Sequence, residues 1–214
     1  MVEICAKAAV GNPEELGDCP FCQRVIVTLK EKDVDYQLNL INLDDKPQWF
    51  IDECPSGEVP AMKHEGRWVD DVQIIIGMIE EWYPEPRLAT PDEFAEAEHR
   101  FQNLYGYFVG FLQSQDPNDG TLQGLQEELN ALDEHLGENG PFIAGEDFTA
   151  VDINVVPLLV NFIVACNHFK DYNFFEDMPN IRTYCESMWS RSSITDTTPA
   201  DEYIIAGWEQ KLNR

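Results

Sequence analysis

The chain is expected to fold as an α/β domain followed by an all-α domain, a helical bundle. Three observations carry this. Strand-like and helix-like hydrophobic periods alternate over about the first 80 residues. Tyr83-Pro84-Glu85-Pro86-Arg87 then places two prolines within three residues, which no helix continues through. Beyond that point only helical spacing recurs. The expected division is residues 1–83 for the first domain, 84–91 for the linker and 92–214 for the second.

The first domain reads as follows. Val2 to Lys7 is an apolar run of strand length, followed by a Gly11-Asn12-Pro13 turn and a loop ending at Asp18-Cys19-Pro20. From Pro20 to about Lys32, Val25, Ile26 and Leu29 recur at helical spacing with charged residues between them. Tyr36 to Asn42 alternates apolar and polar residues as a half-buried strand does. Pro47 to about Asp52 reads as a short helix, and Val59 to His64 with Trp68 to Val69 as a hairpin turning at Glu65-Gly66. Val72 to Trp82 carries Ile75, Ile76, Met78 and Ile79 on a helix. The order β-α-β-α-β-β-α implies a right-handed parallel crossover with an antiparallel hairpin at one edge. A helix that opens after the first strand with a cysteine at its lip fits a thioredoxin-like layout.

In the second domain, helical stretches run over about 91–115, 122–136, 150–166, 181–190 and 201–212. Thr149-Ala150-Val151-Asp152 is a capping box, with Phe148 and Ile153 at the staple positions. Its expected role is structural: it sets the entry of the most apolar helix.

Composition narrows the function. There are 40 acidic and 14 basic residues, a formal net charge of −26. Such a field repels nucleic acids and anionic lipid surfaces, so neither is an expected partner. The longest apolar run, Val155 to Val160, is well short of the roughly 20 residues of a membrane span. Neither a secretory signal nor an Arg- and Ser-rich transit peptide is readable at the N-terminus. The cytoplasm is the expected compartment, with an organelle as the alternative where a transit peptide has been removed. Of six cysteines only Cys19 and Cys22 are close in sequence, and neither a second pair nor a histidine pair exists to complete a zinc site. No metal is expected.

The chemistry concentrates in Asp18-Cys19-Pro20-Phe21-Cys22. A thiol reacts as its thiolate, and an ordinary cysteine is mostly protonated at neutral pH. Helix N-termini present unpaired N–H groups and the positive end of the dipole. Proline at the first helical position sacrifices no needed donor, so Cys19 falls at the N-cap, where its sulfur can accept from those groups. Cys22 lies one turn inside, shielded, as a possible resolving thiol. In Ser56-Gly57-Glu58-Val59-Pro60 the Val59–Pro60 bond is a candidate cis peptide that would let Val59 pair with an extended peptide; a trans proline at a strand start is the alternative.

These residues resemble the glutathione transferase superfamily and, within it, the plant and algal dehydroascorbate reductases. The segments that carry the likeness are Ile4 to Gly11, Leu16 to Phe21, Asp45-Lys46-Pro47-Gln48-Trp49-Phe50, Trp82 to Pro86 and Ala206-Gly207-Trp208-Glu209, together with Asn118-Asp119-Gly120 and Gly140 to Gly145. The resemblance implies the glutathione transferase fold and Cys19 as catalytic cysteine. It implies Lys7 and Asp18 beside the dehydroascorbate pocket. For glutathione it implies Lys46 at a carboxylate, Val59 with Pro60 at the cysteinyl backbone, and Asp71 with the Val72 N–H at the γ-glutamyl end. Lys7 and Lys46 are alternatively plain surface lysines, and Asp71 also suits a helix cap. Two departures stand out. Val72 replaces the serine usual in the family, which removes a hydroxyl contact to glutathione, and Cys22 replaces another serine.

The resemblance further implies glutathione as co-substrate with no tightly bound cofactor, dehydroascorbate as the other small molecule, and a ping-pong cycle through oxidised Cys19 and a glutathione mixed disulfide. An omega-type thiol transferase or deglutathionylase is the alternative, and a redox-triggered membrane-inserting protein a distant third. Cys5, Cys166 and Cys185 read as core thiols and Cys54 as exposed and modifiable. His168 and Trp208 are candidates for the second-substrate pocket, with core packing the alternative for Trp208.

Overall fold

The computed structural model describes residues 2–54 and 56–213. The chain forms two compact units, Met1–Arg87 with Asp196–Lys211, and Leu88–Thr195 with Leu212–Arg214. The first break falls at the end of the Tyr83-Pro84-Glu85-Pro86-Arg87 segment. The sequence division gives the closing helix to the second domain, whereas the structure groups residues 196–211 with the first unit. Side chains make that attachment: Lys30 pairs with Asp196 at 2.7 Å, Gln23 donates to Thr198 at 3.1 Å, and Asn12 donates to Tyr203 at 2.9 Å.

The first unit contains β1 (Val2–Ala9), β2 (Asn12–Leu16), α1 (Pro20–Glu31), β3 (Tyr36–Ile41), α2 (Gln48–Glu53), β4 (Ala61–His64), β5 (Arg67–Val69) and α3 (Val72–Trp82). β1 lies between β3, parallel to it, and β4, antiparallel, with β5 beyond β4. Being central, β1 is apolar on both faces. Its even-numbered residues Val2 and Ile4 pack with Val25 and Leu29 of α1 and Ile75 and Ile79 of α3. Its odd-numbered Cys5 packs with Phe50 of α2. The two-residue period of a strand therefore assigns each helix its face.

β2 is an element that the sequence presented as loop. It doubles back on the end of β1 after Gly11 (φ 82°), pairing Ala8 with Leu16 and Ala9 with Asn12. A polar stretch containing proline carries no strand period, and Pro13 is tolerated because the strand lies at an edge. Glu65 and Gly66 make the hairpin turn with positive φ at both positions, 50° and 79°.

The second unit begins with a 3-10 turn at Asp92–Phe94. Its helices are α4 (Ala95–Phe101), α5 (Leu104–Gln113), α6 (Thr121–Asn139), α7 (Ala150–Lys170), α8 (Pro179–Met188) and α9 (Ser192–Thr195). The single helix expected over 91–115 is broken at Gln102-Asn103. Asn103 turns its side-chain amide back to the His99 carbonyl, the local competition for backbone groups typical of asparagine. α7 is the core helix. Asp152 accepts from the Thr149 N–H (2.9 Å), the Ile143 N–H (3.0 Å) and the Tyr184 hydroxyl (2.7 Å), so the capping box also ties α7 to α8. α7 is long and apolar enough to cross a membrane by length and composition, unlike the short run read from sequence, but 72% of its most apolar window is buried in the protein. The last helix, α10 (Asp201–Leu212), belongs almost wholly to the first unit.

Candidate active site

α1 opens at Cys19, an extended residue (φ −86°, ψ 107°) followed by Pro20. Of the six cysteines only Cys19 is partly exposed; the other five are buried. Its sulfur draws no capping hydrogen bond of full geometry, yet it feels the amides of Cys22 and Phe21. Its pKa falls to about 7. Donation from the Cys22 thiol is the largest cause; burial opposes it, and the Cys22 amide, the Lys211 charge and the Phe21 amide add to the fall. Burial, and the negative charge Cys19 would carry, push Cys22 the other way, well above an ordinary thiol. The pair is therefore asymmetric, with the outer sulfur the better thiolate and the inner one its donor. The Lys7 N–H donates to the Cys22 sulfur at 3.4 Å and fixes the inner thiol against β1.

Asp18 is fully buried, and its carboxylate lies between two ammonium groups. Lys7 Nζ stands 2.5 Å from Oδ1 and Lys211 Nζ 2.6 Å from Oδ2. Burial favours the neutral acid, but Lys211 and Lys7 outweigh it and hold the carboxyl below its ordinary range. Gly17 makes this placement possible. Its N–H donates to the Lys7 carbonyl at 2.8 Å, and a Cβ there would overlap the Ala8 carbonyl.

The other expected site residues occupy three loops of the same unit. Val59 packs on both the cluster containing Cys22 and that containing Cys5, and its bond to the buried Pro60 is cis. Lys46 donates to the Gly57 carbonyl at 2.7 Å and so braces the loop that leads to Val59. Asp71 caps α3, accepting from the Gln73 and Ile74 N–H groups at 2.9 and 3.0 Å through Oδ1. Val72 packs onto the cluster around Ile4 and Ile75.

One other expectation changes. Cys54 is buried rather than exposed. It ends α2, and its side chain packs with Phe50, Ile41 and Ala61, because the short helix must close over the sheet. Trp208 is 1% exposed, with Lys211 over its ring at 4.3 Å. His168 is exposed near the end of α7, in the second unit. Cys5 and Cys166 are raised to about 12, chiefly by burial, and Cys185 further still, as inert core thiols are. Among the described residues no group of three His, Cys, Asp or Glu side chains is placed to hold a metal ion. Sequence reasoning missed Gly207 and Lys211. Both lie in or just after a segment that carried the family likeness, but nothing in their spacing points to residue 18.

A thiolate-prone cysteine at the first helix of a thioredoxin-like unit, joined to a helical unit, defines a class. The chain belongs to the glutathione S-transferase family: the family's N-terminal domain model matches residues 18–82 and its C-terminal domain model residues 115–187. Its relatives narrow the branch to the dehydroascorbate reductases. Glutathione S-transferase DHAR2 of Arabidopsis thaliana is 47% identical over 213 residues, 99% of each chain. The probable glutathione S-transferase DHAR1, cytosolic, of Oryza sativa subsp. japonica is 46% identical over the same span and share of each chain. The crystal structure of Chlamydomonas reinhardtii dehydroascorbate reductase covers 98% of this chain and 97% of its own, with a TM-score of 0.82 and 27% identity. The CLIC homologue EXC-4 from C. elegans, at TM-score 0.85 over 100% of this chain and 82% of its own but 19% identity, is alike in fold.

Proposed function

We propose that this protein is a glutathione-dependent dehydroascorbate reductase that recycles ascorbate through Cys19. The observation that carries the reading is the asymmetry of the cysteines: the one cysteine that is partly exposed is also the one drawn towards the thiolate. Full-length likeness to proteins named for this activity supplies the substrate.

The cycle balances as follows. Cys19 thiol, dehydroascorbate and one water give ascorbate and Cys19 sulfenic acid, with two electrons passing from sulfur to the tricarbonyl ring. Glutathione attacks the sulfenic acid, expelling water and forming a mixed disulfide. A second glutathione attacks that disulfide, releases glutathione disulfide and restores the thiolate. In this reading Lys7 and Asp18 flank the dehydroascorbate pocket. Val59, before Pro60, pairs with the cysteinyl backbone of glutathione. Lys46 meets a carboxylate, and Asp71 with the Val72 N–H meets the γ-glutamyl end. Relatives named as cytosolic and as chloroplastic make either compartment compatible with the chemistry.

The test is ascorbate formation from dehydroascorbate, with and without glutathione, on wild type and Cys19→Ser. Turnover should require both glutathione and Cys19. Glutathione-dependent ascorbate production retained by Cys19→Ser would sink the reading. Comparing wild-type rates on dehydroascorbate and on a mixed-disulfide substrate separates this activity from that of an omega-type thiol transferase.

A further inference from the structure

The last helix of the chain reaches the thiol through charge. In α10, Gly207 and Lys211 are four residues apart and so share a face. A Cβ at residue 207 would overlap Cγ and both oxygens of Asp18, so the backbone of this turn is the surface on which the carboxylate rests. One turn on, Lys211 reaches Oδ2 of the same carboxylate, its ammonium held over the Trp208 ring. The side chain of Lys211 keeps 31% of its exposure, whereas that of Lys7 keeps 11%.

The sign of the local field follows from these contacts. Asp18 precedes Cys19 directly, and a lone carboxylate there would oppose a second negative charge. One ammonium cancels it; two reverse it. The titratable and charged groups of this cluster are Lys7 on β1, Asp18 before α1, Cys22 within α1 and Lys211 on α10. Cys22 lends a neutral donor, and Lys7 is committed to Oδ1 of Asp18. The Lys211 charge favours the Cys19 thiolate while its ammonium also neutralises the neighbouring carboxylate.

Building on the reading of Cys19 as nucleophile, we infer that Lys211 is a positioning residue for this reaction: it holds Asp18 against Lys7 and adds a positive charge that, beside the Cys22 donor, favours a thiolate at Cys19. Gly207 is the contact that allows it.

The experiment follows the ultraviolet absorbance of the thiolate against pH on the full chain, for wild type, Cys19→Ser, Lys211→Gln, Lys211→Met and Lys211→Arg. Lys211→Met keeps the aliphatic stem over Trp208, and circular dichroism identifies the folded variants. The step lost in Cys19→Ser should move up by about one pH unit, tenfold in the ionisation equilibrium, in Lys211→Gln or Lys211→Met. Lys211→Arg should restore most of it. A step that stays in place in a folded charge-free variant overturns the positioning role, even if that variant melts earlier. Should both neutral variants fail to fold, the wild-type step is read against added salt: screening of a partly exposed ammonium should raise it, and an unmoved step overturns the role. A low-pH step that survives in Cys19→Ser would instead overturn the choice of nucleophile, so the two failures are distinct.

Discussion

The buried carboxylate of Asp18 rests on the backbone of Gly207, with no room for even a methyl group between them. Gly207→Ala must therefore push α10 away or displace Asp18 from its two lysines. Overpacking of this kind costs about 2–3 kcal/mol. Chemical denaturation should show that loss at neutral pH, and a variant as stable as wild type would mean that the helix seats differently.

Asp18 itself should govern acid stability. Its carboxyl is held below the ordinary range in the folded protein. The stabilisation is thus fully present above the unfolded value and is lost as pH falls through the folded one. Asp18→Asn leaves two cations without their shared partner and should cost about 3 kcal/mol at pH 7. Urea midpoints for the two proteins should converge as pH drops below the carboxylate range; a pH-independent gap would show that packing, not charge, is responsible.

The alkylation rate of Cys19 should rise with pH through about 7, since its pKa is lowered to about 7 and the thiolate is the attacking form. Cys22→Ala removes the inner donor and should shift that profile upward, whereas Cys22→Ser keeps a hydroxyl donor and should leave most of the turnover. An alanine variant with the wild-type profile would show that Cys22 contributes nothing to the thiolate. Its capacity as a resolving thiol is a separate matter, read by intact mass after oxidant: a disulfide lacks the oxygen that a sulfenic acid retains.

Asp71 joins two roles that substitution can separate. Asp71→Ala removes the cap of α3 and should cost about 1 kcal/mol. Asp71→Asn keeps an acceptor for the Gln73 and Ile74 N–H groups but loses the charge. If the carboxylate meets the γ-glutamyl ammonium, the asparagine variant should raise KM for glutathione several-fold with nearly native stability. An unchanged KM would assign Asp71 to the helix alone.

In the helical unit, Asp152→Ala strands the Thr149 and Ile143 N–H groups and the Tyr184 hydroxyl in the core. A loss of about 3 kcal/mol is expected on thermal or chemical unfolding. The residual folded protein should keep the wild-type thiolate profile, because the carboxylate is structural. A shifted profile would contradict that.

The sequence by itself determined what local physics writes. A short apolar run placed β1, period-two alternation β3, and helical spacing α1 and α3. The Thr149–Asp152 box marked the start of α7, and Cys19 before Pro20 marked the lip of α1. Each signal spans only a few residues, and the backbone reads it before any distant contact forms. The same short range explains the misses. β2 exists because the end of β1 offers a free edge, and Cys54 is buried because α2 closes through Phe50 over Cys5 and Ile41. Lys7 and Lys46, indistinguishable as isolated cations, were sorted only by folding, one to a buried carboxylate and the other to the Gly57 carbonyl. Tertiary structure alone brought Gly207 and Lys211 to Asp18. A buried charge takes whichever partners the packed chain carries to it, and no spacing along the sequence encodes that choice.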